Sequence, residues 1–465
     1  MNRLINVTTA LGDRLRFSAL SGREEISHLF DFSLTLKSED DNLSTEAMLG
    51  TSVTLDIELP GGGMRYLNGQ CVHFAAVGRA GRFHLYEARL KPWLWYATQR
   101  TDYRIFQQMT APDMIRQVLA DYPFEVRLVL SRSYRDWEYC VQYQESDANF
   151  VMRMMENEGI WFWFDHSAGE HALVLTDDIG LRDPFPGYGL IPYFAPDQTY
   201  PDRDHLDTWS AGQQVLSGQF MARDYNFTMP KADLAVIGNQ QPGHAHDSYE
   251  HFEYPGGYDD LDQGDGYARV RMEALQSRHA RGHAAGRARG LAPGWLFTLE
   301  RHPVGQYNRE YLIVAADYRF SDNDYEGGGA SDSHSFRIEV QTHPGDQPFR
   351  PQRITPSPAP RAQTPPRSPA RRARRSTPTS TAGSRCPSPG TATAPRTRTA
   401  PAGSASPTPG PAPALARSTS RASAKKYWST TCTAIRTDRS SPAASTTPCK
   451  CHPGACRPTP RSPAS

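Results

Sequence analysis

Cysteine is scarce: residues 1–350 hold two, Cys71 and Cys140. That excludes the disulfide framework of a small secreted scaffold and points to production in the cytosol. No apolar run approaches the roughly 18 residues a membrane helix needs, so no membrane anchor is expected. The opening Met-Asn-Arg-Leu-Ile-Asn-Val-Thr-Thr lacks the apolar centre of a signal peptide. The common enzyme signatures are missing too. There is no Gly-x-Ser-x-Gly elbow, His-Glu-x-x-His helix, phosphate loop or dinucleotide fingerprint, so no catalytic residue and no cofactor is assigned. No period of about 20–50 residues marks a solenoid.

Acid is missing from the last quarter. Residues 351–465 hold 16 Arg and 3 Lys against Asp438 alone, a net of +18, while residues 1–350 carry −17. The near-neutral total of +1 therefore hides two stretches of opposite character. The basic stretch has one Leu (Leu415), two Ile and no Val, Phe or Met. It cannot bury enough apolar surface to offset chain entropy, and disorder is predicted. Its charge would attract phosphate polyanions through counterion release, without a specific nucleic-acid partner. Its Arg-rich Pro-x-x-P runs suit polyproline recognition.

The first 350 residues are rich in Trp, Tyr, Phe, Leu and Val. Short alternating runs predict strands at Arg14–Leu20, Phe30–Leu36, Ser52–Leu59 and Phe83–Leu90, with a turn at Gly61-Gly62-Gly63. Phe30, Phe32, Leu34 and Leu36 should face inward, leaving Asp31, Ser33, Thr35 and Lys37 to solvent. Pro112 and Asp113 suit the first turn of a helix with Met114, Ile115, Val118 and Leu119 as its apolar stripe. A second helix starts near the capping residues Ser146-Asp147, buries Phe150, Val151, Met154 and Met155, and stops at Gly159. A hairpin of Ile160–Phe164 and His171–Thr176 follows. Later strands are expected at Val215–Met221, Leu234–Ile237, Trp295–Leu299, Glu310–Tyr318 and Ser335–Gln341, and a third helix from about Tyr267 to Arg281. The fold class is mainly β with a few helices, and the strand spacing suggests barrels.

Three clusters invite a site. His244, His246 and His251, among Asp247, Glu250 and Glu253, are residue types that zinc accepts; a polar loop explains them better, and the metal reading is rejected. His279 and His283 sit four apart on the expected helix end, but Arg278, Arg281 and Arg287 oppose a cation there. Trp161, Phe162, Trp163 and Phe164 could stack a sugar or base, yet a strand packed on both faces suits them better. In the tail, Cys449, Cys451, His452 and Cys456 have a superficial zinc-ligand spacing.

The helix–hairpin segment carries a resemblance. Tyr139-Cys-Val-Gln-Tyr-Gln-Glu-Ser-Asp147, Phe150-Val151 and Glu156-Asn-Glu-Gly159-Ile160 resemble the VgrG family, spike proteins of bacterial type VI secretion related to phage baseplate hubs and Rhs-element Vgr proteins. Leu90–Trp95, Arg104–Gln107, Tyr249–Gly256, Tyr267–Arg271 and Phe349–Pro356 agree with it in order, over about residues 1–356. The resemblance implies a hub-like head of two related β-barrels, one in residues 1–165 and one in 166–348, then a linker at 349–369. It further implies a homotrimer stacked on the hexameric Hcp tube, assembled in the cytoplasm and injected through the apparatus, with no chemistry of its own. Some members carry an enzymatic C-terminal extension, but residues 370–465 hold no cluster of acid, base and nucleophile.

Members of the family continue into a small barrel and a β needle that receives a PAAR-type tip and effectors; this chain, as written, does not. Read from the third base of each codon, Ala370–Arg385 and Lys425–Pro448 are compatible with segments resembling that small barrel. One slip of reading phase between about Thr355 and Ala370 would explain the missing acids, the excess Pro, Ala and Arg, and the stray cysteines together.

Overall fold

A computed structural model describes residues 4–197, 203–322 and 334–358. The first compact unit closes at Pro358; the expected disorder of the basic tail and its Cys/His cluster lie outside the described residues.

Alternation of apolar and polar side chains organises the main sheet. Along Asp31–Ser38, Phe32, Leu34 and Leu36 are sealed from solvent while the residues between are half-buried rather than free. Asp31 is held there by Arg89 and Lys91, the latter at 3.0 Å. Ten strands follow in the spatial order Ile5–Thr8, Ser52–Glu58, Met64–Ala80, Phe83–Lys91, Asp31–Ser38, Arg16–Glu25, Glu310–Asp322, His334–Pro344, Ala280–Gly286 and Leu206–Gln213. Leu296–Glu300 joins beside Glu310–Asp322 and carries Leu190–Pro192 in parallel. The seam is the antiparallel pair Arg16–Glu25 with Glu310–Asp322, where Leu20 lies opposite Phe320 and Gly22 opposite Tyr318. Gly22 is obligatory: a Cβ would stand 2.5 Å from Phe32 Cδ1 and 2.6 Å from the Asp31 carbonyl.

Three helices complete the unit. Helix α1, Ala111–Leu119, is capped by the Thr110 hydroxyl and buries all four residues of its expected stripe. Helix α2, Asp147–Glu158, is capped by Ser146 and ends on Gly159 at φ +71°, a left-handed conformation that glycine adopts without a Cβ penalty. It feeds the hairpin Trp161–His166 and His171–Thr176. Helix α3 departs from expectation, running Leu261–Gln276 instead of Tyr267 to Arg281. Asp260 caps it by accepting from the Gln263 amide at 2.9 Å, and the Gln263 side chain returns a bond at 2.6 Å. The Ala- and Gly-rich stretch Ala280–Gly286 is strand, because between Leu206–Gln213 and His334–Pro344 its ladder bonds are satisfied on both sides.

The longest strand, Met64–Ala80, carries no expected alternation, since Arg65, Asn68 and Gln70 are buried on it. Tertiary partners make that tolerable. Arg65 donates to the Arg289 carbonyl at 2.9 Å, to the Leu291 carbonyl and to Tyr318 Oη at 2.8 Å. Tyr318 donates in turn to Glu24 Oε2 at 3.1 Å. His166 Nδ1 accepts from the Asn68 amide and its Nε2 faces Glu24. His171 Nε2 accepts from the Trp93 amide at 2.9 Å, so its Nδ1 carries the hydrogen that meets Asn68 Oδ1 at 2.7 Å.

Buried neutral imidazoles make the head sensitive to acid. Burial, and then His166, hold His171 well below the usual histidine range. Burial, and then Arg281, pull His343 down to about 4. Each pKa is depressed on folding, so the unfolded chain binds the proton first, and stability falls as pH drops below about 6.5 through the folded values. His343 alone should cost on the order of 2 kcal/mol at about pH 5. Urea denaturation should show a midpoint that falls between pH 7.5 and 5 more steeply in the wild type than in His343→Asn.

Candidate functional site

The three rejected histidines do not converge. His244 Nε2 accepts from the Leu216 amide at 3.3 Å, and its ring stacks on His279 at 5.5 Å. His246, in a left-handed turn at φ +72°, lies against Tyr249. His251 sits on the strand Glu250–Glu253, stacked at 5.9 Å over Phe220. Among the described residues no group of three His, Cys, Asp or Glu side chains is placed to hold a metal. The expectation of His279 and His283 on a helix end is corrected: His279 lies in the turn after α3, bonded to the Gln214 carbonyl at 2.8 Å, and His283 is on the following strand opposite Gln341.

The aromatic strand is packed on both faces, as its composition suggests. Phe162 and Phe164 join the main core, while Trp161 and Trp163 join a second cluster with Val174, Leu312 and Phe349. The Arg182 guanidinium lies 3.8 Å from the Trp163 ring centroid; burial lowers its pKa to about 10. Nothing of this strand is left for a ligand to stack on.

The last described segment, residues 349–356, straps across α2 and α3. Phe349 is buried edge-on to Trp161 at 5.6 Å. Arg350 reaches Glu273 at 2.7 Å, the Gly159 carbonyl at 3.3 Å and the Asp177 carbonyl. The Arg350 carbonyl accepts from Ser277 Oγ at 3.0 Å, just past the end of α3. Gln352 donates to the Ala274 carbonyl, and Arg353 pairs with Glu253. Glu156 closes the strap by accepting the Ile354 and Thr355 amides, each at 3.0 Å, and the Thr355 hydroxyl at 2.5 Å. Burial raises the Glu156 pKa, against those hydrogen bonds, which act to lower it. The resemblance names Phe349–Pro356 as a linker, but sequence reasoning misses that Glu156 and Glu273 receive it. The Glu156-Asn-Glu-Gly159 motif is the one signal that points there.

Two sheet faces leave apolar side chains in water. In the small sheet of Gln219–Asp224, Leu234–Asn239 and Glu250–Glu253, one face packs Phe220, Ala222 and Val236 on Tyr267, Ala268 and Met272 of α3. The other aligns Ile237, Met221 and Phe252 in one row, with Ile237 62% and Phe252 54% exposed. On Thr101–Phe106 and Cys140–Ser146, Ile105 lies opposite Val141 and Tyr103 opposite Tyr143; Ile105 is 63% exposed. Exposed apolar side chains grouped in this way mark interaction surfaces.

The strap should respond to its carboxylates. Glu156→Ala leaves two strap amides and a hydroxyl without their acceptor, a loss of about 1–3 kcal/mol. Limited proteolysis should then cleave within residues 352–358 faster than in the wild type, while circular dichroism of the sheet is unchanged.

Comparison with known proteins closes the question of family. Residues 23–324 match the phage tail baseplate hub (GPD) family. The type VI secretion system spike protein VgrG1c of Pseudomonas aeruginosa is 41% identical over 358 residues, covering 77% of this chain and 49% of that protein. VgrG1a of the same organism is 40% identical over 352 residues, covering 75% and 55%. The chain thus spans about half the length of the curated relatives it matches. A solved Escherichia coli protein, described as a type VI secretion component structurally similar to the T4 bacteriophage tail proteins gp27 and gp5, superposes with a TM-score of 0.54. That superposition covers 74% of this chain and 78% of the other at 18% identity, a likeness of fold. The matched span covers well over half of the chain and takes in all three described helices; on that ground the chain belongs to the phage tail baseplate hub family.

Proposed function

We propose that residues 1–358 are the head of a type VI secretion spike that works by assembly and not by catalysis. The observation that carries this reading is the similarity, at 41% identity, to spike proteins across a unit whose conspicuous surface features are unpaired apolar sheet faces. In this reading the Ile237–Met221–Phe252 row and the exposed face of Thr101–Phe106 that carries Tyr103 and Ile105 are buried between three copies. Two related barrels per chain, divided near residue 165, give the trimer a pseudo-sixfold base that stacks on a hexameric Hcp tube. Assembly takes place in the cytoplasm and export through the apparatus. The docking of a PAAR-type tip and effectors is outside the proposal, because those contacts belong to an upper spike that residues 359–465 do not resemble as written. No helix among the described residues is long and apolar enough to cross a membrane.

The basic stretch belongs to the same proposal. A slip in reading phase between about Thr355 and Ala370 replaces the small barrel, and the slip falls next to the last residues tied to α2. Sequencing the source DNA across codons 340–380 decides it. A base missing or extra against the recorded gene restores the full spike; an unchanged sequence means that the cell makes a head with a basic tail.

The assembly itself is read by light scattering on the purified full chain. A mass of three copies is expected, falling to one in the double variant Ile237→Asp, Phe252→Asp, which leaves the α3-facing core untouched. A monomeric wild type, or a double variant that still trimerises, sinks this placement of the interface.

A further inference from the structure

A second feature, independent of the spike assignment, is an open edge within the main sheet. The longest strand, Met64–Ala80, runs on past its neighbour. Its pairing with Ser52–Glu58 stops where Gln70 lies opposite Ser52, and the Cys71 amide is taken by the Thr51 carbonyl at 2.9 Å. From Val72 to Ala80 the strand keeps Phe83–Lys91 on one side, and no described strand pairs with it on the other. That leaves nine residues of free ladder edge, longer than the usual whole strand of about 5–6 residues.

Sheet edges are ordinarily guarded by lysine, proline, inward-pointing charge or brevity. Val72–Ala80 reads Val-His-Phe-Ala-Ala-Val-Gly-Arg-Ala, with no lysine, proline or acid. Register shifts between Cys71 and His73 and between Ala76 and Gly78 mark two bulges, at Val72 and Val77. A bulge bends its strand and can blunt an edge, but each of these holds a valine, and Val77 stands 52% exposed. Ala75, Ala76, Gly78 and Ala80 are small, so a second backbone can lie close. The ribbon is held in shape without one: Phe74 stacks on Tyr86 across the ladder at 5.3 Å, and both rings are buried.

Charge decides what kind of strand fits. Val72–Tyr86 contains no carboxylate, and Arg79 and Arg82 give it +2 within a head of −17. Arg79 donates Nε to the Gly81 carbonyl at 3.0 Å and has no carboxylate partner among the described residues. Arg82 lies over the Phe83 ring at 4.8 Å. The acids of the loop after Asp31–Ser38, Glu39 and Asp40, are held by Arg16 and Arg14. Arg79 therefore keeps its terminal donors for an incoming acid, which a guanidinium takes in a bidentate, charge-assisted pair. A second copy of the same edge is the poorer occupant, because it adds arginine and no acid.

We propose that the outer edge of Val72–Ala80 is a strand-addition site, where an extended acidic segment of a partner protein pairs with the main sheet and sets an Asp or Glu side chain on Arg79.

A displayed library of random nonapeptides panned on the purified full chain tests it. Selected peptides should share an Asp or Glu, and hydrogen exchange should show the amides of residues 72–80 slowed when the peptide binds. In fluorescence anisotropy, Arg79→Glu should weaken binding at least tenfold, and Val77→Lys, which guards the edge, at least threefold. Two N-methylated forms of the peptide leave the protein untouched, whatever the variants do to folding. Methylating every second amide in one phase should cost at least tenfold, and in the other phase less than threefold, because alternate amides of an added strand face the sheet. Four outcomes overturn the proposal: no enrichment; a consensus without acid, or one indifferent to Arg79→Glu; equal binding by the two methylated forms; or self-association of the chain that Val77→Lys abolishes while no peptide is selected, which would give the edge to a second copy.

Discussion

Everything in the head hangs on one long-range pairing, Arg16–Glu25 against Glu310–Asp322. It joins residues about 300 positions apart and places strands from both ends of the unit in one sheet. Loop-closure entropy opposes such a contact until side chains repay it. The repayment is visible on both sides of the seam. Leu20, Phe32 and Phe320 fill the apolar part, and the Glu24–Tyr318–Arg65 chain of hydrogen bonds fills the polar part. Without the seam, Arg65 and Glu24 would lose Tyr318, the hydroxyl that links them, and a partly satisfied buried polar network is costlier than an apolar core.

Helix α2 and its hairpin sit on that frame and convert it into an anchor. The capped helix ends at Gly159 because a left-handed residue is needed there, and a Cβ at that point would stand 2.6 Å from Val270 and 3.0 Å from Arg350. The same close approach lets Arg350 reach the Gly159 carbonyl. Glu156, one turn back, takes the strap amides. The segment is therefore tied to both ends of the last turn of α2, besides its bonds to α3 and Glu253. That suits a protein proposed to work by assembly, and it needs no reactive group.

Much of this was legible in the residues. The stripe Met114, Ile115, Val118 and Leu119, the cap Ser146, the stop at Gly159 and the inward row Phe32, Leu34 and Leu36 are local patterns with local causes. The strand Met64–Ala80 was not legible, because Arg65, Asn68 and Gln70 interrupt its alternation and find partners only in space. The third helix was misplaced for a related reason. Asp260 and Gln263 form its start, but the Ala- and Gly-rich sequence after Gln276 is strand only when a neighbour stands on each side of it. His279 and His283, read as one helical face, were separated by that change.

The sequence by itself determined the local elements, the split in character near residue 350 and the family, since each depends on neighbouring residues or on residue types in order. Tertiary structure alone decided which polar groups are affordable inside and which charges are left over. The pairing of Arg350 with Glu273 and the neutral state of His343 follow from distances between residues far apart in the chain. An electrostatic interaction depends on separation and on excluded water, and neither is written in the order of the residues.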